Sequence, residues 1–186
     1  MACPITVTKF IGTISLGLLT GLSYSASTIT VPSLGLLSTA TNASKSLNEV
    51  KRLNRKHGFR LANISNVCLL FAYSISPRHR KHPYLIWMVV MSTVGSYGAD
   101  YFFHGQSGFK AWACSVIQDT GLPSFLVCAK GQKKEEDLVV VEAEENVNGE
   151  SVRRDMEQER RLQGVRAIFS GIALSMGIVG LWGDRR

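Results

Sequence analysis

The chain has 186 residues, a formal net charge of +7 and 45% hydrophobic residues. The apolar residues are gathered in long blocks with the charges between them, which is atypical of a soluble domain. Because the basic residues stand at the edges of these blocks and not among stacking aromatics, the charge favours lipid headgroups and argues against a nucleic-acid partner. We therefore predict an all-α membrane protein with four transmembrane helices and the lipid bilayer as its first partner.

The first apolar block covers residues 9–31 and predicts a span with a short N-terminus over residues 1–31. At about 1.5 Å of rise per residue, the block is long enough to cross a hydrocarbon core about 30 Å thick. A cleaved secretory signal is the alternative, since Lys9 precedes the apolar run and the small residues SYSAS follow it. We favour the span because the later apolar blocks also need a membrane.

Residues 32–60 are predicted to form a basic, amphipathic loop. Helical periodicity places Leu47, Val50 and Leu53 on one stripe of this segment, and Glu49 is its acidic residue. A segment of this kind lies on anionic headgroups, and a merely solvated basic helix is the alternative. The bases around the stripe are Lys45, Lys51, Arg52, Arg55, Lys56 and Arg60.

The next two blocks, residues 61–76 and 83–103, predict a helical hairpin over residues 61–103. The shorter block carries Asn63 and Asn66, and we expect both amides to face other helices because an unpaired amide in lipid is costly. The longer block has aromatic residues near both ends, as at a membrane interface. We predict that Asp100, near its end, lies in the headgroup layer, with a buried functional carboxylate as the alternative.

A basic turn joins the two helices of the hairpin. Pro77 and Pro83 bracket this turn, and proline stops a helix on either side. A metal site is the alternative because His79 and His82 are three residues apart, but no carboxylate or third ligand is near them in the sequence. The residues of the turn are Arg78, His79, Arg80, Lys81 and His82.

Residues 104–164 are predicted to be a charged loop, and residues 165–186 a fourth span with a short C-terminus. Within the loop, residues 132–161 are rich in charge and poor in aromatics, which predicts partial disorder. The last part of the loop can form a helix that runs into the fourth span. Ser151 is a candidate phosphorylation site, with an ordinary solvated serine as the alternative.

Small residues at four-residue spacing recur in three of the predicted spans. In lipid, such spacing lets helix backbones approach closely. We therefore predict a compact four-helix bundle with a tendency to self-associate. The small residues are Gly17, Gly21, Gly95, Ala99, Ala167, Gly171 and Ser175.

Sequence motifs for catalysis are missing. We find no nucleotide-binding loop, zinc-protease motif, nucleophile elbow or cluster of carboxylates, and predict no enzyme activity, no cofactor and no metal. Cys3, Cys68, Cys114 and Cys128 follow no regular spacing. We expect reduced thiols, with a disulfide between Cys114 and Cys128 as the alternative. The surplus of Lys and Arg in the loops predicts cytosolic loops, although the basic turn points the other way.

Three segments resemble known proteins: ITVTKFIGTISLGLLTGLSYSASTIT near the N-terminus, RHRKHPYLIWMVV in the hairpin and RAIFSGIALSMGIVGLWGD near the C-terminus. They resemble a small fungal family that contains the mitophagy protein autophagy-related protein thirty-three. Its yeast paralogue is known as a suppressor of a defect in a cell-division-cycle ubiquitin-ligase subunit. The resemblance implies a multi-span protein of the mitochondrial outer membrane that acts in the selective autophagy of mitochondria.

We accordingly expect a non-catalytic accessory or scaffold in mitophagy, with the 132–161 loop facing cytosolic autophagy or regulatory proteins. A direct receptor displays an aromatic residue, two further residues and an aliphatic one near acids, as an added strand. This pattern occurs at residues 87–90 and 169–172, both inside predicted spans. The alternatives are an assembly factor or scaffold in another organelle membrane and a small membrane carrier.

Overall fold

A computed structural model describes residues 4–76, 82–104, 109–120 and 149–183 of the chain. Within these ranges every regular element is a helix, so the predicted all-α class is confirmed. The charged turn between residues 77 and 81 and the stretch 121–148 lie outside the described residues.

The first helical segment is continuous but changes its winding near its end. Helix α1, Pro4–Ser25, leads into a π-helical turn, Ala26–Thr30, and then into helix α2, Val31–Leu34. Proline has no backbone N–H to donate within a helix, and Pro32 is the second residue after the π-turn. The Thr28 hydroxyl donates to the Tyr24 carbonyl at 2.8 Å. This bond gives the carbonyl a hydrogen-bond donor at the start of the wider turn.

Helix α3, Ala40–Ile75, is a single helix of 36 residues. It joins most of the predicted basic loop to the short second apolar block, because no proline lies between Pro32 and Pro77. Ser76 ends the helix in an extended conformation (φ −63°, ψ 127°), as expected for the residue before a proline. In the basic half, Arg52 hydrogen-bonds Glu49 at 2.7 Å, and this bond lowers the pKa of the exposed Glu49 carboxyl.

The third apolar block is also helical. Helix α4, Tyr84–Thr93, is followed by a second π-helical turn, Val94–Gly98, and by helix α5, Ala99–His104. Helix α6, Phe109–Thr120, follows after a short gap. Helix α7, Gly149–Gly183, contains the fourth apolar block together with the charged residues before it. The predicted helix that runs into the fourth span is therefore confirmed.

Four long helical segments pack side by side in a ring. Helix α1 lies between α3 and α7, and α4 lies opposite α1, also between α3 and α7. Helices α1 and α3 are antiparallel, because Gly12 of α1 lies against Leu69 of α3, whereas the later Leu19 lies near the earlier Gly58. The Ser65 hydroxyl of α3 donates to the Gly12 carbonyl. The central core consists of Leu16, Leu69, Leu85, Met88 and Ala173.

The prediction of four membrane spans is met in only two of its four blocks. Two helical stretches, Ile5–Leu34 and Gly149–Gly183, are long and apolar enough to cross a membrane by length and composition. The other two blocks fall short for a chemical reason, since one shares helix α3 with the basic segment and carries two asparagines. The other carries Asp100 near its end and contains several hydroxyl residues and glycines.

The expectation that all cysteines are reduced thiols is wrong. Cys114, in α6, is disulfide-bonded, and its partner lies outside the described residues. Cys68, half-buried in α3, is a free thiol.

Candidate functional site

The most unusual feature of the bundle is a group of charged and aromatic side chains at one end. We call this group the polar cluster: Arg55, Phe59, Asp100, Trp112 and Arg166. Asp100 and Arg166 are each only 1% exposed. The cluster draws on α3, α5, α6 and α7, and we call this end of the bundle the polar end. Ion pairs are rarely buried so fully unless both charges find partners.

Asp100 is at the centre of the polar cluster. Its Oδ2 atom accepts hydrogen bonds from Trp112 Nε1 at 2.8 Å and from Arg55 Nη2 at 3.2 Å. Its Oδ1 atom lies 3.9 Å from Arg166 Nη2. The structure therefore corresponds to the buried carboxylate that we gave as the alternative. The partners that enclose it come from helices distant in sequence, and the preferred placement of Asp100 at the depth of the headgroup layer stays a prediction.

The two arginines share one aromatic ring. The guanidinium carbon of Arg55 lies 5.5 Å from the centre of the Phe59 ring, and that of Arg166 lies 5.6 Å from it. Phe59 in turn stacks on Tyr97, with ring centres 5.1 Å apart and planes 6° apart. Cations gain electrostatic attraction from an aromatic face, most strongly where water is excluded. The ring pair thus helps to compensate both guanidinium groups for their lost hydration.

A missing side chain makes room for Arg166. A Cβ atom added to Gly58 would lie 3.0 Å from Arg166 Nη1. Arg166 also donates to the backbone carbonyl of Ser96 at 3.3 Å, within the second π-turn. Gly58 therefore leaves space for the Arg166 guanidinium, and the Ser96 carbonyl accepts a hydrogen bond from it.

A second acid balances the charge. Glu159, about two helical turns before Arg166 on α7, is 3% exposed and attracts Arg166 electrostatically. Its Oε1 accepts a hydrogen bond from Gln163 Nε2 at 2.8 Å. Two arginines and two carboxylates therefore occupy this end with no net charge, which a buried group requires.

Chemically, the polar cluster is suited to holding helices together. Both oxygens of Asp100 already face cations or an indole N–H, so the carboxylate has a structural set of contacts. Among the residues that the structure describes, no group of three or more His, Cys, Asp or Glu side chains lies close enough to hold a metal. The absence of catalytic, cofactor and metal residues stays a prediction.

The asparagines of the second block face the bundle, as predicted. Asn63 Oδ1 accepts a short hydrogen bond from the Tyr97 hydroxyl, and Asn66 Nδ2 donates to Thr93 Oγ1 at 3.3 Å. Both amides thus bind the third block.

The predicted small residues occupy different environments. A Cβ at Gly95 would lie 2.6 Å from Phe169 Cβ, so α7 approaches this backbone closely. Gly17 faces Leu174, and Gly171 faces Thr20 at 3.6 Å. Around them, Ala99 is buried, Ala167 is half-buried and Ser175 is exposed, whereas Gly21 has nothing within 4 Å of an added Cβ.

Other glycines make closer contacts than most of those we selected. Gly177 faces the Met88 methyl at 2.6 Å, and Gly180 lies against the Tyr84 ring. Gly12 faces Leu69 at 3.2 Å. Ala173 and Gly177 are four residues apart, so the same spacing rule also indicates this contact between α7 and α4.

Two further predicted sites are only partly described. Of the basic turn, only His82 is placed, with its ring centre 5.9 Å from that of Tyr84; Arg78, His79, Arg80 and Lys81 lie outside the described residues. Ser151 is exposed in the first turn of α7. Most of the 132–161 loop also lies outside.

Sequence reasoning missed Arg55, Phe59, Trp112 and Arg166 as site residues. One signal was present: Asp100 and Arg166 each lie just inside an apolar block, at block ends that a bundle brings to the same side. Opposite charges placed in this way pair with each other in a bundle interior.

Comparison with known proteins adds a family relationship. The family model described as "Autophagy-related protein 33" matches residues 1–159. A protein of Gibberella zeae named "Autophagy-related protein 33" is 29% identical over 187 aligned positions, which cover 97% of this chain and 91% of the relative. No solved structure matches the chain.

Proposed function

The chain belongs to the family of autophagy-related protein 33, and on this premise we propose that it is a non-catalytic, multi-span protein of the mitochondrial outer membrane. In this proposal it acts as an accessory or scaffold in the selective autophagy of mitochondria. The family relationship supports an autophagy-related role. The described residues support the membrane placement and the scaffold role, and the resemblance supports the organelle.

The apolar exterior of the bundle is the observation that carries the membrane placement. In the most apolar windows of the two candidate spans, only 28% and 22% of the residues are buried. A core helix of a soluble protein is mostly buried, and soluble monomers rarely expose large contiguous apolar patches.

The remaining two long segments present apolar side chains outward as well. Val67 on α3 is 65% exposed and Trp87 on α4 is 57% exposed, although these helices fall short of a span by composition. We therefore propose that all four long segments are immersed in the bilayer. Further exposed residues on the four segments are Phe10, Leu18, Phe71, Phe102, Ile168, Val179 and Trp182.

A scaffold role fits the polar end, where buried contacts join several helices. The 121–148 stretch begins after α6 and ends before α7, and Trp112 of α6 and Arg166 of α7 are both held by Asp100. The 121–148 stretch connects α6 to α7, and the polar cluster therefore holds the helices at both of its ends. We propose that the 132–161 loop, most of which lies in this stretch, meets cytosolic autophagy or regulatory proteins.

The same structure supports an accessory over a direct receptor. The aromatic-x-x-aliphatic patterns at residues 87–90 and 169–172 lie within α4 and α7. A segment that adds a strand to a partner sheet has to be extended and accessible. Neither helical segment meets that requirement.

A small carrier is a weaker alternative. Its substrate path would need polar groups that face a cavity, whereas Tyr97 binds Asn63, Thr93 binds the amide nitrogen of Asn66, and the polar cluster encloses Asp100. An assembly factor or scaffold in another organelle membrane is a further alternative. Only the location of the protein in the cell distinguishes it from the proposed function.

Protease protection tests location and orientation together. Mitochondria would be purified from cells that express the chain with a C-terminal tag, then treated with protease before and after outer-membrane rupture, with carbonate extraction alongside. We expect an integral protein whose charged loop is clipped in intact mitochondria while the tag survives. Cleavage only after rupture, or residence in another organelle, would contradict the proposal.

The disulfide at Cys114 makes orientation a sharp question. Disulfides persist in oxidising compartments and are rare in the cytosol, whereas the Lys and Arg surplus favours cytosolic loops. Non-reducing gels of the same samples show whether the disulfide forms in the cell. A deletion strain with a mitophagy reporter completes the test: we expect a reduced signal that the intact gene restores.

A further inference from the structure

A groove opens between the first π-turn and α7, on the outer side of the bundle. Its volume is about 410 Å³, and it is lined by Ser27, Thr28, Glu157, Arg160, Arg161 and Gly164. The groove lies at the junction between the charged part of α7 and the apolar block that begins at residue 165.

The groove carries a surplus of positive charge. Arg161 Nη2 pairs with Glu157 Oε1 at 2.6 Å. Arg160 is exposed and has no hydrogen bond or ion pair with any residue in the described part of the chain. One guanidinium is thus available to an incoming anion and a second stands next to it, a combination that suits phosphate oxygens.

Below the groove the surface becomes apolar. Tyr24 is 62% exposed and lies one helical turn from Thr28, and Ile168 is 63% exposed and lies one turn from Gly164. An added Cβ at Gly21 or at Gly164 would have nothing within 4 Å. The seam between α1 and α7 is therefore open here and apolar, directly beneath two cations.

We propose that this groove binds an anionic phospholipid, with its phosphate on Arg160 and Arg161 and an acyl chain along Tyr24, Gly21 and Ile168. Basic pockets between membrane helices bind anionic lipid headgroups in this way. The apolar floor distinguishes a lipid from a soluble phosphate, since only a lipid uses both parts. The proposal rests on the membrane placement proposed above and not on the mitophagy role.

The test uses the purified full chain in phosphatidylcholine nanodiscs with a minority of spin-labelled phosphatidic acid. The measured quantity is the motionally restricted fraction of the label. The groove variant is Arg160→Gln/Arg161→Gln, and the matched control is Arg153→Gln/Arg154→Gln, which removes the same charge from the same helix two turns away. Loss of both phosphate contacts is expected to weaken binding by about tenfold or more, with the control unchanged.

A second variant tests the apolar part without changing charge. In Gly21→Leu/Gly164→Leu the new side chains fill the space proposed for the acyl chain, so the motionally restricted fraction is expected to fall. The fold is expected to tolerate the variant, since neither position has a neighbouring atom to displace. Glycerol phosphate, as a competitor, is expected to displace little lipid. Equal loss in the groove and control charge variants, no loss in the leucine variant, or full displacement by glycerol phosphate would each overturn the proposal. Because no mitophagy readout is used, failure here is distinguishable from failure of the proposed cellular role.

Discussion

The two ends of the helical bundle are held together by different interactions. At the polar end, Asp100 joins three helices through Arg55, Trp112 and Arg166. At the opposite end, which we call the glycine end, Gly177 and Gly180 let α7 lie directly against Met88 and Tyr84 of α4. In lipid, burial of apolar surface gives helices little reason to associate, so close packing and polar contacts have to specify their positions. In this chain the buried charges of the polar cluster lie at one end, and the glycine contacts between α7 and α4 distinguish the other.

The difference predicts which end is more sensitive to a single substitution. A charge enclosed by protein depends on its partner, whereas a close glycine contact can relax by side-chain movement. Substitutions at the polar end are therefore expected to have larger effects than those at the glycine end.

The largest effect is expected for Asp100→Ala. It leaves Arg166 and Arg55 without their shared carboxylate, and breaking a buried ion pair costs about 3–5 kcal/mol. Reversible unfolding in mixed detergent micelles measures the change in the free energy of unfolding. The companion variant Asp100→Leu/Arg166→Met removes both charges and is expected to be more stable than Asp100→Ala. If Asp100→Ala unfolds like the unmodified protein, the polar cluster does not hold the helices together.

At the glycine end, Gly180→Leu is expected to destabilise the bundle by about 1–3 kcal/mol, because the Tyr84 ring occupies the space that the new side chain needs. Gly21→Leu is the matched control, since it adds the same side chain to a helix position with an open neighbourhood. The same unfolding assay compares the two. Equal losses in both variants would show that the close contact at Gly180 contributes nothing specific.

The sequence predicted the glycine end of the bundle better than the polar end. Apolar blocks and prolines predicted four long helical segments, and α3 ends before Pro77, as expected. The sequence did not predict that α3 is one continuous helix, because its basic half and its apolar half differ in composition. Between the two halves only Gly58 disfavours a helix, and the helix continues through it. At the glycine end, spacing alone indicated close packing, although it selected Gly21, which is open, and missed Gly177 and Gly180.

The polar cluster was harder to predict because its partners are distant in sequence. Arg55 and Asp100 are 45 residues apart and meet only when α3 and α5 pack. Arg55 looked like one of several surface bases in an amphipathic segment, and nothing local distinguishes it from Lys51 or Lys56. Which arginine turns inward depends on helix rotation, and composition does not determine that rotation.

A smaller effect is expected from Ser65→Ala near the glycine end. The Ser65 hydroxyl is fully buried and donates to the Gly12 carbonyl at 3.1 Å, across the contact between α1 and α3. Hydrogen bonds between membrane helices contribute about 0.6 kcal/mol on average. Ser74→Ala is the control, since its hydroxyl donates within its own helix to Leu70. A loss as large as that of Asp100→Ala would remove the proposed difference between the ends.

The smallest effect is expected from Glu150→Gln at the exposed start of α7. Its carboxylate pairs with Arg154 at 2.7 Å, but both side chains are more than half exposed. Solvent and salt screen such pairs, which are worth about 0.3–0.5 kcal/mol on a helix. The pair at Arg166 differs from this one in burial and not in the kind of charge. If Glu150→Gln costs as much as Asp100→Ala, burial is not what makes the polar end sensitive, and the contrast between the two ends of the bundle needs another cause.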